Sequence, residues 1–107
     1  MPIERKLAAI MFTDIAGYTA LSAKDSTKAS ELLKTQRHTL KPIVEKHGGS
    51  WMKEIGDGLL LTFDSATSAV ECSIAIQVAT KYIEDLNLRI GIHEGAVSYT
   101  HLRAHET

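Results

Sequence analysis

Two aspartates, a lysine and a glycine turn are the residues of this chain best placed to do chemistry. Asp14 ends an apolar run in "LAAIMFTDIAGYT", and Gly17 and Thr19 follow at once. Asp57 stands between two glycines in "KEIGDGLLLTF", with Lys53 four positions before it. Carboxylates are the donors that a hard divalent cation prefers. A glycine lets backbone approach a ligand closely, and N–H groups near a helix start can cradle phosphate. Two carboxylates plus such a turn suit metal-assisted phosphoryl chemistry, provided the fold brings them together. Each residue also has a plainer reading. Asp14 can cap a helix, Asp57 can simply make a hairpin turn, and Lys53 can be a solvated edge residue.

Whether the aspartates meet depends on the elements around them. "KLAAIMF" (6–12) predicts a central strand buried on both faces. A polar, small-residue stretch follows to about Ser26. Ser26 or Thr27 then caps a helix whose apolar or aliphatic positions are Ala29, Leu32, Leu33, Gln36 by its stem, Leu40, Ile43, Val44 and His47. Pro42 predicts a kink near residues 38–42, and Gly48 a left-handed stop. "SWMKEI" (50–55) and "LLLTF" (59–63) read as strands joined by an Asp-Gly hairpin turn at 56–58. Asp64 or Ser65 caps a second helix to about Ile83, with Ala66, Ala69, Val70, Ser73, Ile74, Gln77 and Val78 along one side. "LNLRIGIH" (86–93) is a fourth strand. The order β-α-β-β-α-β predicts an α+β, ferredoxin-like split βαβ fold. Two helices then cover one face of an antiparallel sheet of strand order 4-1-3-2. The end of the first strand lies beside the hairpin of the second and third, so Asp14 and Asp57 share one sheet edge. A cation between them would relieve their repulsion.

The bulk properties narrow the class. The 107 residues allow one domain with a modest core. A formal net charge of −1 gives no ground for general nucleic-acid binding. No apolar run approaches the length of a membrane span, and the N-terminus is not a signal peptide. A single cysteine, Cys72, excludes a disulfide framework and fits a reducing cytoplasm.

Four stretches together, "AAIMFTDIAGYTALS", "HGGSWMKEIGDGLLLTF", "SAVECSIAIQ" and "LRIGIHEG", resemble the catalytic domain of the class III nucleotide cyclases. The resemblance runs from residue 6 to about 95, in order and at matching separations. It implies that the 3′-hydroxyl of a nucleoside triphosphate attacks its own α-phosphate, giving a 3′,5′-cyclic nucleotide and pyrophosphate. By motif position it makes Asp14 and Asp57 the catalytic aspartates that hold two Mg²⁺ or Mn²⁺ ions. The Ile15 carbonyl matches a backbone metal ligand, and the N–H groups of Ala16, Gly17, Tyr18 and Thr19 match a phosphate loop. Lys53 matches the base-reading position. Lysine there is typical of adenylate cyclases and glutamate of guanylate cyclases, which points to ATP. Glu54 falls on the other strand face by alternation. The resemblance also implies a head-to-tail homodimer, with the aspartates from one chain and the lysine from the other.

The chain departs from the family after "GIHEG". The second base-reading residue and the helical asparagine and arginine of the family have no counterpart, so this chain alone is expected to be inactive or nearly so. "VSYTHLRAHET" (97–107) resembles a translated sequencing-library adapter. The expectation is a cyclase segment over 1–96 and a non-native, disordered tail over 97–107. His101 and His105, spaced like a helical metal pair, carry no weight for that reason. Two other readings stand beside the adenylate cyclase. One is a noncatalytic cyclase-like domain for nucleotide binding or dimerisation. The other is a diguanylate cyclase or polymerase palm, which the "FTDI…GDG" order and Lys53 fit less well.

Overall fold

A computed structural model describes residues 3–100, with side chains over 7–96. Residues 101–107, including His101 and His105, lie outside the described residues. The apolar run falls within β1 (Ile3–Ile15), which pairs with a strand on each side. The chain continues through α1 (Tyr18–Lys24), α2 (Ser26–Lys46), β2 (Ser50–Ile55), β3 (Gly58–Phe63), α3 (Ala66–Thr80) and β4 (Leu88–Thr100). All pairings are antiparallel, in the order β2-β3-β1-β4. That is the expected order, and the fold is the expected α+β arrangement. β4 runs past His93, so the boundary expected at residue 96 falls inside a strand.

β1 is central but not buried on both faces. Ala9, Met11, Thr13 and Ile15 alternate into the helix layer, whereas Phe12 on the opposite face is 51 % exposed. The core packs the helix-facing residues of β1 and β3 against Leu32, Leu40 and Val44 of α2 and Ala69, Cys72 and Ile76 of α3. The open sheet face has no helix against it among the described residues.

The polar, small-residue stretch that runs to about Ser26 contains a helix. Gly17, at φ 79°, starts α1, and Tyr18 and Leu21 pack one turn apart against the core. Asp25 ends α1 through its N–H to Leu21 O (2.7 Å) and caps α2 by accepting the Lys28 N–H (3.0 Å). The cap is thus Asp25 rather than Ser26 or Thr27. α2 runs without a break through Pro42. Pro42 is exposed, so the His38 carbonyl it leaves without an N–H can bond water, while Leu40 and Val44 bury the opposite side. Gly48 takes the expected left-handed φ of 73°. The Gly48 and Gly49 N–H groups bond Glu45 O (3.0 Å) and Val44 O (2.9 Å), a Schellman stop.

Ser65 caps α3, which ends at Thr80 rather than near Ile83. Its buried face is Ala69, Cys72, Ile76 and Thr80, which shares only Ala69 with the predicted one, and Val70, Ile74 and Val78 are exposed. α3 is apolar around most of its circumference, so spacing alone does not choose a face. Small residues let it lie close to the sheet.

Candidate functional site

Sheet order brings the two aspartates together. Asp14 is the penultimate residue of β1, and Asp57 is in the hairpin joining β2 to β3. Asp57 Oδ2 accepts the Ile15 N–H at 2.8 Å, which fastens the hairpin to the end of β1 beside Asp14. The turn is not the Asp-Gly type expected. Ile55 pairs with Gly58, so the two turn residues are Gly56 and Asp57. Only Gly56 has positive φ, at 60°, as in a type II′ turn. Gly58 serves close packing instead: a Cβ there would meet Ile55 O at 3.2 Å and Thr13 O at 3.3 Å.

Two residues to which the sequence analysis gave no place at the site complete the surroundings. Arg89 faces Asp14 across the β1–β4 pair. Its Nε donates to Asp14 Oδ1 at 2.7 Å and its Nη2 to Oδ2 at 3.2 Å. That hydrogen bond and the Asp14 charge, with a smaller part from Asp57, hold the guanidinium above its usual pKa. The signal was there: Arg89 is the charged interruption of an apolar strand, though only the register names its partner. Gln36 of α2 is buried, and its Nε2 donates to Asp57 O at 3.4 Å.

The proposed phosphate loop is only partly free. The Ala16 N–H donates to Asn87 O at 2.8 Å, tying it to the segment before β4. Tyr18 and Thr19, as the first residues of α1, have no intrahelical acceptor for their N–H groups. Gly17 caps α1 with no side-chain bond.

Lys53 reaches the Asp14 side of the sheet through a bulge. Trp51 pairs with Leu61, a core residue, but Lys53 pairs with Leu60, which lies on the other face. Simple alternation would have put Trp51 and Lys53 on one side. The register shift at Met52 reverses the phase, so Lys53 joins the row containing Leu60 and Phe12. Asp14 is two residues along from Phe12 on that same face. Glu54 turns to the helix side, accepting from Arg37 Nη2 (2.8 Å), Arg37 Nε (2.9 Å) and Trp51 Nε1 (3.1 Å). The Arg37 hydrogen bonds hold its carboxyl below the usual range.

The donor set fits a hard divalent ion. Asp14, Asp57 and a backbone carbonyl are all oxygen, and the guanidinium on Asp14 shows that the position favours positive charge. Among the described residues no group of three or more acidic, histidine or cysteine side chains forms a closed metal site. Two carboxylates therefore suit an ion that keeps water and substrate phosphate among its ligands. No described helix is long and apolar enough to cross a membrane.

The adenylate and guanylate cyclase catalytic domain family matches residues 3–106. A Rhizobium meliloti protein named "Putative adenylate cyclase 3" is 38% identical over 103 residues, 89% of this chain and 18% of that protein. An adenylate cyclase of Streptomyces coelicolor is 30% identical over 98 residues, 90% of this chain and 26% of that protein. The chain thus spans about a quarter of these relatives at most. The crystal structure of an adenylate/guanylate cyclase/hydrolase from Silicibacter pomeroyi is similar at TM-score 0.78 and 34% identity, over 92% of this chain and 62% of that one. The adenylyl cyclase CyaB from P. aeruginosa shares the fold at TM-score 0.82 and 24% identity, over 92% and 60%. Sequence, topology and the paired aspartates agree, and the chain belongs to the adenylate and guanylate cyclase catalytic domain family.

Proposed function

We propose that this chain carries the metal- and phosphate-binding part of an adenylate cyclase site, which converts ATP to 3′,5′-cyclic AMP and pyrophosphate in cytoplasmic signalling. The observation that carries the reading is the Ile15 N–H to Asp57 bond, which anchors one carboxylate beside the other. Asp14, Asp57 and the Ile15 carbonyl would hold two Mg²⁺ or Mn²⁺ ions, which supply charge neutralisation for the triphosphate and activation of the 3′-hydroxyl. The N–H groups of Gly17, Tyr18 and Thr19 would receive phosphate oxygens at the start of α1. Arg89 would exchange Asp14 for a phosphate oxygen, since a guanidinium matches either anion bidentately. Lys53 would donate to a ring nitrogen of adenine.

The open sheet face supports a homodimer. Phe12 and Lys53 lie on it, and a head-to-tail partner would cover the apolar surface while offering Lys53 to the other chain's aspartates. Binding of a nonhydrolysable ATP analogue tests the reading. The analogue should bind with Mn²⁺, and Asp14→Asn should remove that binding. Equal binding without metal, or in Asp14→Asn, would overturn it.

A further inference from the structure

Two buried side-chain atoms beneath the site have no hydrogen-bond partner among the described residues: Thr13 Oγ1 and Gln36 Oε1. Thr13 is 5 % exposed and Gln36 3 % exposed. Each is attached to one of the two aspartates. Thr13 immediately precedes Asp14 and its side chain enters the helix layer. Gln36 reaches from α2 to the backbone carbonyl of Asp57. Gln36 holds the Asp57 carbonyl, and Asp57 holds the Ile15 N–H two residues along β1 from Thr13, so both side chains belong to the same end of the sheet. Buried polar atoms are nearly always satisfied, by protein or by an ordered water. A threonine hydroxyl can donate or accept, and a glutamine carbonyl oxygen only accepts. One water can bond the hydroxyl and donate to Gln36 Oε1.

We propose that Thr13 and Gln36 are joined through one buried water into a polar strut, and that the pair are positioning residues for Asp14 and Asp57. The strut would couple the two aspartate-bearing elements from below, while the Ile15 N–H to Asp57 bond couples them from the side. The inference rests on the reading of Asp14 and Asp57 as cation ligands, for which Thr13 and Gln36 act as outer-shell supports. It explains why a glutamine occupies a position that helical spacing marks as apolar.

The test is a double-mutant cycle on the full chain, read by thermal melting and by Mn²⁺ titration. Thr13→Val keeps the shape and removes the hydroxyl. It should lower the melting temperature by roughly 4–8 °C, the shift expected for one lost buried hydrogen bond in a domain of this size. Gln36→Met should do the same, and the double variant should fall little further than either single. Thr13→Ser, which keeps the hydroxyl, should restore most of the loss. Both single variants should weaken Mn²⁺ binding about 10-fold, as loss of an outer-shell support does. A Thr13→Val protein that melts at or above the wild-type temperature contradicts the strut, because an orphaned hydroxyl is better replaced by methyl. Strictly additive shifts also contradict it. Unchanged Mn²⁺ affinity in folded variants overturns the positioning role. A wild-type chain that takes up no Mn²⁺ defeats the cation-ligand reading instead, and the melting cycle still decides the strut.

Discussion

Asp14 is held by a partner it can give up. Its ion pair with Arg89 is open to solvent on both sides, so water screens it and it holds weakly. In the proposed function a divalent ion arriving with a triphosphate would displace it, and the freed guanidinium would meet an anion of the same geometry. Lys53 lacks an ion-pair partner among the described residues, which leaves its ammonium available to a base. Lys53→Glu replaces a donor with an acceptor. The ratio of ATP-analogue to GTP-analogue affinity should fall roughly 10-fold or more, since a mismatched polar contact leaves a group unpaired. Competition binding measures it, and an unchanged ratio removes Lys53 from base recognition. Asp14 and Asp57 could be found in the sequence because each is an isolated acid against apolar or glycine neighbours. Arg89 could not, since its meaning comes from the β1–β4 register. Gln36 reads as an apolar stem until the hairpin's place over α2 is known.

At the level of elements, close packing sets the geometry of the site. α2 ends in a Schellman stop that returns the chain directly into β2. Gly49 makes that return possible: a Cβ there would lie 2.5 Å from Phe63 Cε2 and 2.8 Å from Val44 Cγ1. Phe63 and Val44 are both buried and cannot easily yield. Gly49→Ala should therefore cost about 1–3 kcal/mol, seen as a lower midpoint in urea with an unchanged slope. A midpoint equal to wild type would show that the α2–β2 junction relaxes freely. The strand carrying Lys53 shows why alternation is only a first guide. A one-residue bulge at Met52 inverts the phase between Trp51 and Lys53, and no local residue type announced it. α1 was missed for a related reason, because its hold on the core is only Tyr18 and Leu21. Ala69 was legible on the buried face of α3, but the side beyond it was misread, because Val70, Ile74 and Val78 mimic a core stripe while Cys72 and Ile76 make the contact.

For the molecule as a whole, the strand order was legible because only a central β1 satisfies so continuous an apolar run. The exposed face of that strand was not, because a run of apolar residues does not say whether a partner covers one side. The covered side is well sealed. Cys72 has no solvent exposure, and burial raises its thiol pKa to about 11. The thiol should react with iodoacetamide only after unfolding, at rates at least about 100-fold slower in buffer than in denaturant. Prompt labelling of the native chain would show a core that opens locally. The open side carries Asp14, Lys53 and Phe12, so the proposed chemistry and the proposed dimer contact occupy the same surface. The central claim is that Asp14 and Asp57 form one cation site. Titrating Mn²⁺ into the chain, with free ion followed by electron paramagnetic resonance, tests it most directly. Saturable binding that weakens at least about 10-fold in both Asp14→Asn and Asp57→Asn is the predicted result. Binding of the same strength in the wild type and both variants would contradict it.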